Sequence, residues 1–169
     1  MERTLTFGVI NRSTMALSNL LGEYDCKLDP KGRMRMPSGL ISQLGEEGKN
    51  GFVLNRGFEK CLVLYPRALW DQIAEEVNQL NLYKPENREF ARYFFRGAQE
   101  ISLDAADRIL LSKRLTDYAG IDKDVILSAY SGRIEIWAKE IYDTMLDQEP
   151  EDFANLANKV LGKEDKRSE

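Results

Sequence analysis

Asp25-Cys-Lys-Leu-Asp29-Pro-Lys-Gly-Arg33-Met34 and Glu100-Ile-Ser-Leu-Asp104-Ala-Ala-Asp-Arg108-Ile109 are two versions of one phrase, 75 positions apart. Leu40 falls on Leu115 at the same spacing. Three residues are then lost, so that Val53-Leu54 match Val125-Ile126. Leu62, Leu64 and Tyr65 match Ile134, Ile136 and Trp137, and Arg67, Leu69 and Trp70 match Lys139, Ile141 and Tyr142. The repeat covers roughly residues 24–73 and 99–145, which is most of the chain, and it sets the architecture before any single element does.

Each copy reads the same way. Tyr24, Cys26 and Leu28 alternate with Asp25, Lys27 and Asp29, the period of a half-buried strand. Asp29-Pro30-Lys31-Gly32 is a turn, with proline fixing φ and glycine allowing positive φ. A short strand follows, with Met34 and Met36 facing the core and Arg33 and Arg35 facing out. Pro37-Ser38 opens a short helix reaching Leu44. The loop Gly45–Gly51 leads to a hairpin of Phe52–Asn55 and Lys60–Tyr65, turning near Gly57. A helix at about Pro66–Leu80 carries Leu69, Ile73, Val77 and Leu80 on one stripe. The second copy runs through Ile101–Leu111, a short helix from Ser112, a hairpin over 124–137 turning near Ser131-Gly132, and a helix from Ala138. Between the copies, Asn81–Ala98 reads as a connector helix with Arg88, Arg92 and Arg96 on one face and Phe90, Tyr93 and Phe94 on the others. Its arginine stripe is read as solvated, with an inter-subunit or DNA-facing role as the rival.

Composition narrows the function. The chain has 169 residues, 43% apolar and 31% charged, enough for a buried core. Histidine is absent, which removes the usual neutral-pH base and the commonest zinc ligand. Cys26 and Cys61 form no ligand cluster and suit a reduced, intracellular protein. No enzyme, metal or cofactor is expected. No apolar run is long enough to span a membrane, and Met1–Thr14 do not read as a signal peptide. The net charge of −4 is deceptive: residues 143–169 hold eight acids against four bases, a surplus that accounts for all of it. Residues 27–36 meanwhile carry Lys27, Lys31, Arg33 and Arg35 against Asp29 alone. One basic strip on an acidic chain suffices for DNA if an oligomer aligns several. The domains expected are an N-terminal arm at 1–22, a first module at 23–80, the connector at 81–98, a second module at 99–148 and an acidic tail at 149–169, with Lys163–Glu169 disordered.

Asp-x-x-x-Arg once means little; twice, at matching places in a repeat, it is specific. Arginine grips phosphate or a guanine edge bidentately. Arg33, Arg35, Lys31 and Lys27 are therefore the DNA-contacting candidates, with Arg108 added from the second copy. Asp29 and Asp104 read as turn-positioning residues that bind turn amides or hold their arginines, and Gly32 supplies the turn's backbone freedom.

The string Leu28-Asp-Pro-Lys-Gly-Arg33-Met-Arg-Met-Pro37, with its weaker echo at Asp104…Arg108, resembles the MraZ family, whose tandem modules belong to the wider AbrB/SpoVT-like group. The resemblance implies an α+β fold, a β-rich double-split barrel from two tandem AbrB-like modules, each followed by a helix. It also implies a cytoplasmic, nucleoid-associated homo-oligomer, a ring of eight or twelve copies. Such a ring is expected to bind double-stranded DNA at short direct repeats and to repress a division and cell-wall operon. Met15–Tyr24 resembles how family members begin, which leaves residues 1–14 as an over-long start or an added arm. The second copy departs from the family pattern: Asp107 replaces glycine, and Ala106, Leu110 and Ser112 stand where copy one has Lys31, Arg35 and Pro37. Two other classes stay open, an oligomeric interaction scaffold without DNA binding and a carboxylate hydrolase using Asp25/Asp29 or Asp104/Asp107.

Overall fold

A computed structural model describes residues 12–147 and 152–162. Helix α1 (Arg12–Leu17) precedes strands β1 (Gly22–Lys27) and β2 (Arg33–Arg35), helix α2 (Ser38–Leu44) and a 3-10 turn at Gly45–Lys49. The hairpin β3 (Phe52–Arg56) and β4 (Leu62–Pro66) follows, then α3 (Arg67–Asn78) and the connector α4 (Pro85–Phe95). The second copy contributes β5 (Gln99–Ile101), β6 (Arg108–Leu110), α5 (Lys113–Ala119), β7 (Asp124–Tyr130), β8 (Arg133–Ala138) and α6 (Lys139–Asp147), and α7 (Phe153–Leu161) comes last. The fold is α+β with two tandem modules, as expected. Residues 1–11 of the expected arm at 1–22, and residues 149–151 and 163–169 of the expected tail at 149–169, lie outside the described residues.

The modules are interlaced. Six strands form one antiparallel sheet in the order β1-β7-β8-β4-β3-β5, and β2 and β6 form a separate two-stranded ribbon. The first strand of each module therefore pairs with the third strand of the other: Cys26 lies opposite Val125, and Ile101 opposite Phe52. At the sheet's centre β4 pairs with β8, with Val63 opposite Glu135. The expected double-split barrel is not closed: the large sheet ends at the edge strands β1 and β5, and the ribbon stands apart from it. This exchange makes both modules partners in one core.

The sheet is covered on both faces, which explains the consecutive apolar residues Phe52–Leu54 of β3, Leu62–Tyr65 of β4 and Val125–Leu127 of β7. On one face Leu54, Leu64, Leu127 and Ile136, all fully buried, meet Met34 and Ile109 of the ribbon and Leu40 and Leu115 of the short helices. On the other, Val53, Tyr65, Ile126 and Trp137 meet Leu69 and Trp70 of α3 and Tyr142 of α6. Edge strand β1 instead alternates half-buried and exposed residues, as its sequence predicts.

The structural register corrects the repeat by one position in the third strand. Val53 and Leu54 correspond to Ile126 and Leu127, not to Val125 and Ile126. Leu54 and Leu127 face one core, and Val53 and Ile126 the other. The difference arises in the hairpins. Copy two closes through Ser131 (φ 50°) and Gly132 (φ 79°), a tight two-residue turn, whereas copy one uses the longer loop 57–61.

Candidate nucleic-acid interface

The β2–β6 ribbon carries the repeated phrase of both modules. Arg33 lies opposite Leu110, Met34 opposite Ile109, and Arg35 opposite Arg108. Because side chains alternate along a strand, Met34 and Ile109 point into the core, where both are buried. Arg33, Arg35, Arg108 and Leu110 form the outward face. Arg35 and Arg108 are directly opposed like charges, an arrangement unfavourable on its own.

Each turn is fastened by its aspartate in the same way. The backbone N–H groups of Lys31 and Arg33 donate to Asp29 Oδ1 at 2.9 Å each, and Arg33 Nε donates to Asp29 Oδ2 at 2.8 Å. In copy two the N–H groups of Ala106 and Arg108 donate to Asp104 Oδ1 at 2.9 Å, and Arg108 Nε to Asp104 Oδ2 at 2.8 Å. The backbone bonds from Arg33 and Arg108 do most to hold the two carboxyls below the ordinary aspartate range. Only Nε of each arginine is used, and the side chains of Arg33 and Arg108 stay 32% and 35% exposed, so the outer edge of each guanidinium is left for another acceptor.

The turns differ at their fourth residue. Gly32 has φ 81°, and a Cβ there would sit 3.0 Å from the Leu111 carbonyl oxygen. Asp107 occupies the matching place at φ 59°, a left-handed conformation that aspartate tolerates better than most residues. Both residues lock the ribbon to the opposite module: Leu111 N–H donates to Gly32 O at 2.9 Å, and Met36 N–H to Asp107 O at 2.8 Å.

The remaining candidates divide. Arg35 is exposed and donates from Nε to the Ala106 carbonyl at 3.2 Å; it pairs with no carboxylate among the described residues. Lys31 is exposed at the turn's tip. Lys27 is not on the ribbon. It lies on β1, 3.9 Å from Asp124, and reaches the ribbon only across a cleft that it shares with Arg35 and Asp107. Of the carboxylates weighed for hydrolysis, Asp25 receives a hydrogen bond from Lys139 Nζ at 2.9 Å, and Asp29 and Asp104 are engaged in their turns. The Cys61 thiol, pushed up to about 12 by burial and by Glu135 and Glu59, stays protonated.

Two residues not singled out from the sequence hold the connector. Asn55, buried at the end of β3, donates to the Phe94 carbonyl at 2.7 Å. Arg56 donates to the Arg96 and Tyr93 carbonyls at 3.0 and 3.2 Å, and its guanidinium lies over the rings of Tyr93 and Tyr118. Two polar residues breaking an apolar strand were the available signal. Phe94 then stacks on Trp70 at 5.6 Å, leaving Arg88, Arg92 and Arg96 exposed.

A family model described as "MraZ protein, putative antitoxin-like" matches twice in tandem, at residues 20–93 and 94–163. A protein of Christiangramia forsetii named transcriptional regulator MraZ is 40% identical over 148 residues, 87% of this chain and 96% of the relative. Proteins of the same name from Flavobacterium psychrophilum and Natranaerobius thermophilus are 41% identical over 147 residues and 38% over 141. They cover 86% and 83% of this chain and 94% and 96% of their own lengths.

Proposed function

Since the chain belongs to the MraZ family, a family of transcriptional regulators and not of enzymes, we propose that it regulates transcription by binding double-stranded DNA through its β2–β6 ribbon. The observation that carries this reading is the outward face of that ribbon, where Arg33, Arg35 and Arg108 converge. A two-stranded ribbon fits the major groove, and arginine reads guanine there or grips the flanking phosphates. Arg35 is the principal contact, because it lacks the aspartate that occupies Arg33 and Arg108. Lys31 reaches the backbone from the turn's tip, and Lys27 assists from β1. Asp29, Asp104 and Gly32 set the turns and do not meet DNA.

One ribbon offers few contacts. Affinity then comes from several ribbons held at fixed spacing in a homo-oligomeric ring, engaging short direct repeats at once. The target is a division and cell-wall operon, bound on the nucleoid in the cytoplasm, with repression by promoter occlusion as the outcome. Among the described residues no helix is long and apolar enough to cross a membrane.

The test is binding to DNA from the protein's own division-operon promoter, with a scrambled probe of equal length, across a salt series. Saturable binding that requires the repeats and weakens with salt is expected. Equal binding to both probes overturns sequence specificity. Binding to neither at low salt, by protein whose oligomer is intact, favours the interaction scaffold instead.

A further inference from the structure

Among the described residues, nothing packs on the apolar stripe of helix α7. Phe153, Leu156, Ala157, Val160 and Leu161 recur at helical spacing. The four large ones are between 42% and 81% exposed. The helix starts properly, since Asn155 N–H donates to the capping Asp152 at 3.0 Å. A formed helix with one bare apolar face marks a contact surface rather than scattered exposed residues.

The connector supplies a complementary surface. A groove of about 530 Å3 runs between α3 and α4, floored by Val77, Leu82, Ala91 and Phe95 and edged by Arg92 and Arg96. Neither arginine pairs with a carboxylate among the described residues, although both are exposed. At the other surface, exposed Asp147 ends α6 and exposed Asp152 begins α7, and neither pairs with a cation among the described residues. Both surfaces are apolar, and the unpaired charges at their ends are opposite in sign.

We infer that α7 of one copy docks in the α3–α4 groove of the next, with Asp147 and Asp152 facing Arg92 and Arg96. Helix and groove are different surfaces, so each copy gives its helix to one neighbour and takes the helix of another in its groove, a head-to-tail contact. A head-to-tail contact closes into a ring or runs on as a filament, and it leaves every ribbon face free. The difference between the modules explains why α7 is available. In copy one, Asn55 and Arg56 fasten α4 to the sheet; the structurally matching residues of copy two, Ser128 and Ala129, lack that reach. This inference rests on the assembly proposed above and names its interface.

The mass of the full chain is measured by light scattering for the wild type, Leu156→Glu and Val160→Glu. Both substituted side chains are exposed within one copy, so the melting temperature stays within a few degrees while the assembly falls toward single chains. Oxidative cross-linking gives the direction. Leu82→Cys and Leu156→Cys chains, each also carrying Cys26→Ser, are expected to form a two-chain product when mixed and little when apart. A wild type that is a single chain at every concentration overturns the assembly reading itself. An intact assembly in both Glu variants overturns this interface alone. So does a bridge that forms only within one chain carrying both cysteines.

Discussion

The two turns of the ribbon are near-copies at their base and opposites at their tip. Asp29 and Asp104 make the same three hydrogen bonds at the same lengths within 0.1 Å. Beyond them, copy one has Lys31, Gly32 and Arg35 where copy two has Ala106, Asp107 and Leu110. Leu110 is 56% exposed on the outward face, so its apolar character is not a demand of the core. What fixes the fold has been kept twice, and the basic side chains of the outward face have been concentrated once. The pseudo-symmetric scaffold therefore presents an asymmetric face, strongest around Arg35 and Lys31.

The largest expected effect breaks the comparison by removing what the modules share. Leu64→Ala opens a cavity between β4, β8 and the ribbon and costs roughly 2–5 kcal/mol. Because each module's first strand is paired in the other, chemical denaturation is expected to show one transition for both halves, shifted as a whole. Two separated transitions would show the modules to be independent. Next comes the face itself. Arg35→Ala is expected to weaken promoter binding by about 1–3 kcal/mol, and Leu110→Ala by far less; anisotropy titrations of both variants compare the two copies directly. Leu110→Arg, which restores symmetry, is expected to tighten binding and steepen its salt dependence.

A smaller effect separates the turns. Gly32→Ala is strained both by φ 81° and by the Leu111 carbonyl, and is expected to lower stability by about 1–3 kcal/mol. Asp107→Gly relieves a left-handed residue and is expected to change stability by less than about 1 kcal/mol. Thermal melts of the pair read the contrast. The smallest effect is common to both turns. Asp29 and Asp104 have lowered values when folded, so their contribution is complete above the ordinary aspartate range and is lost as pH falls below roughly 4. The Nε–H resonances of Arg33 and Arg108 are expected to lose protection from exchange together over that range. Loss of one well before the other would show that the two fastenings are not equivalent.

Much of this was legible in the sequence where the pattern is periodic or punctuated. The alternation of Tyr24 to Lys27, the turn at Asp29–Gly32 and the inward Met34 between outward arginines each have a local physical cause. The strand exchange was not legible, because an apolar strand records that it is buried and not which strand lies beside it. The third-strand offset is not legible for the same reason: Val125-Ile126-Leu127 is apolar throughout and gives no face to align. Sequence proximity places Lys27 with the arginines, but β1 belongs to the large sheet and not to the ribbon. The role of Asn55 and Arg56 is not legible, because their partners are carbonyls of the connector, about 40 residues on.

The central claim is that the copy-one half of the ribbon face is where DNA is gripped. The most direct measurement is the slope of binding against salt for the wild type and Arg35→Ala on the same promoter fragment, with equal oligomeric mass confirmed. Each phosphate contact contributes about −0.9 to that slope on duplex DNA. The account predicts weaker binding for Arg35→Ala, with a shallower slope if the arginine meets phosphate or an unchanged slope and lost sequence preference if it meets a base. Affinity, slope and preference all equal to the wild type would contradict it.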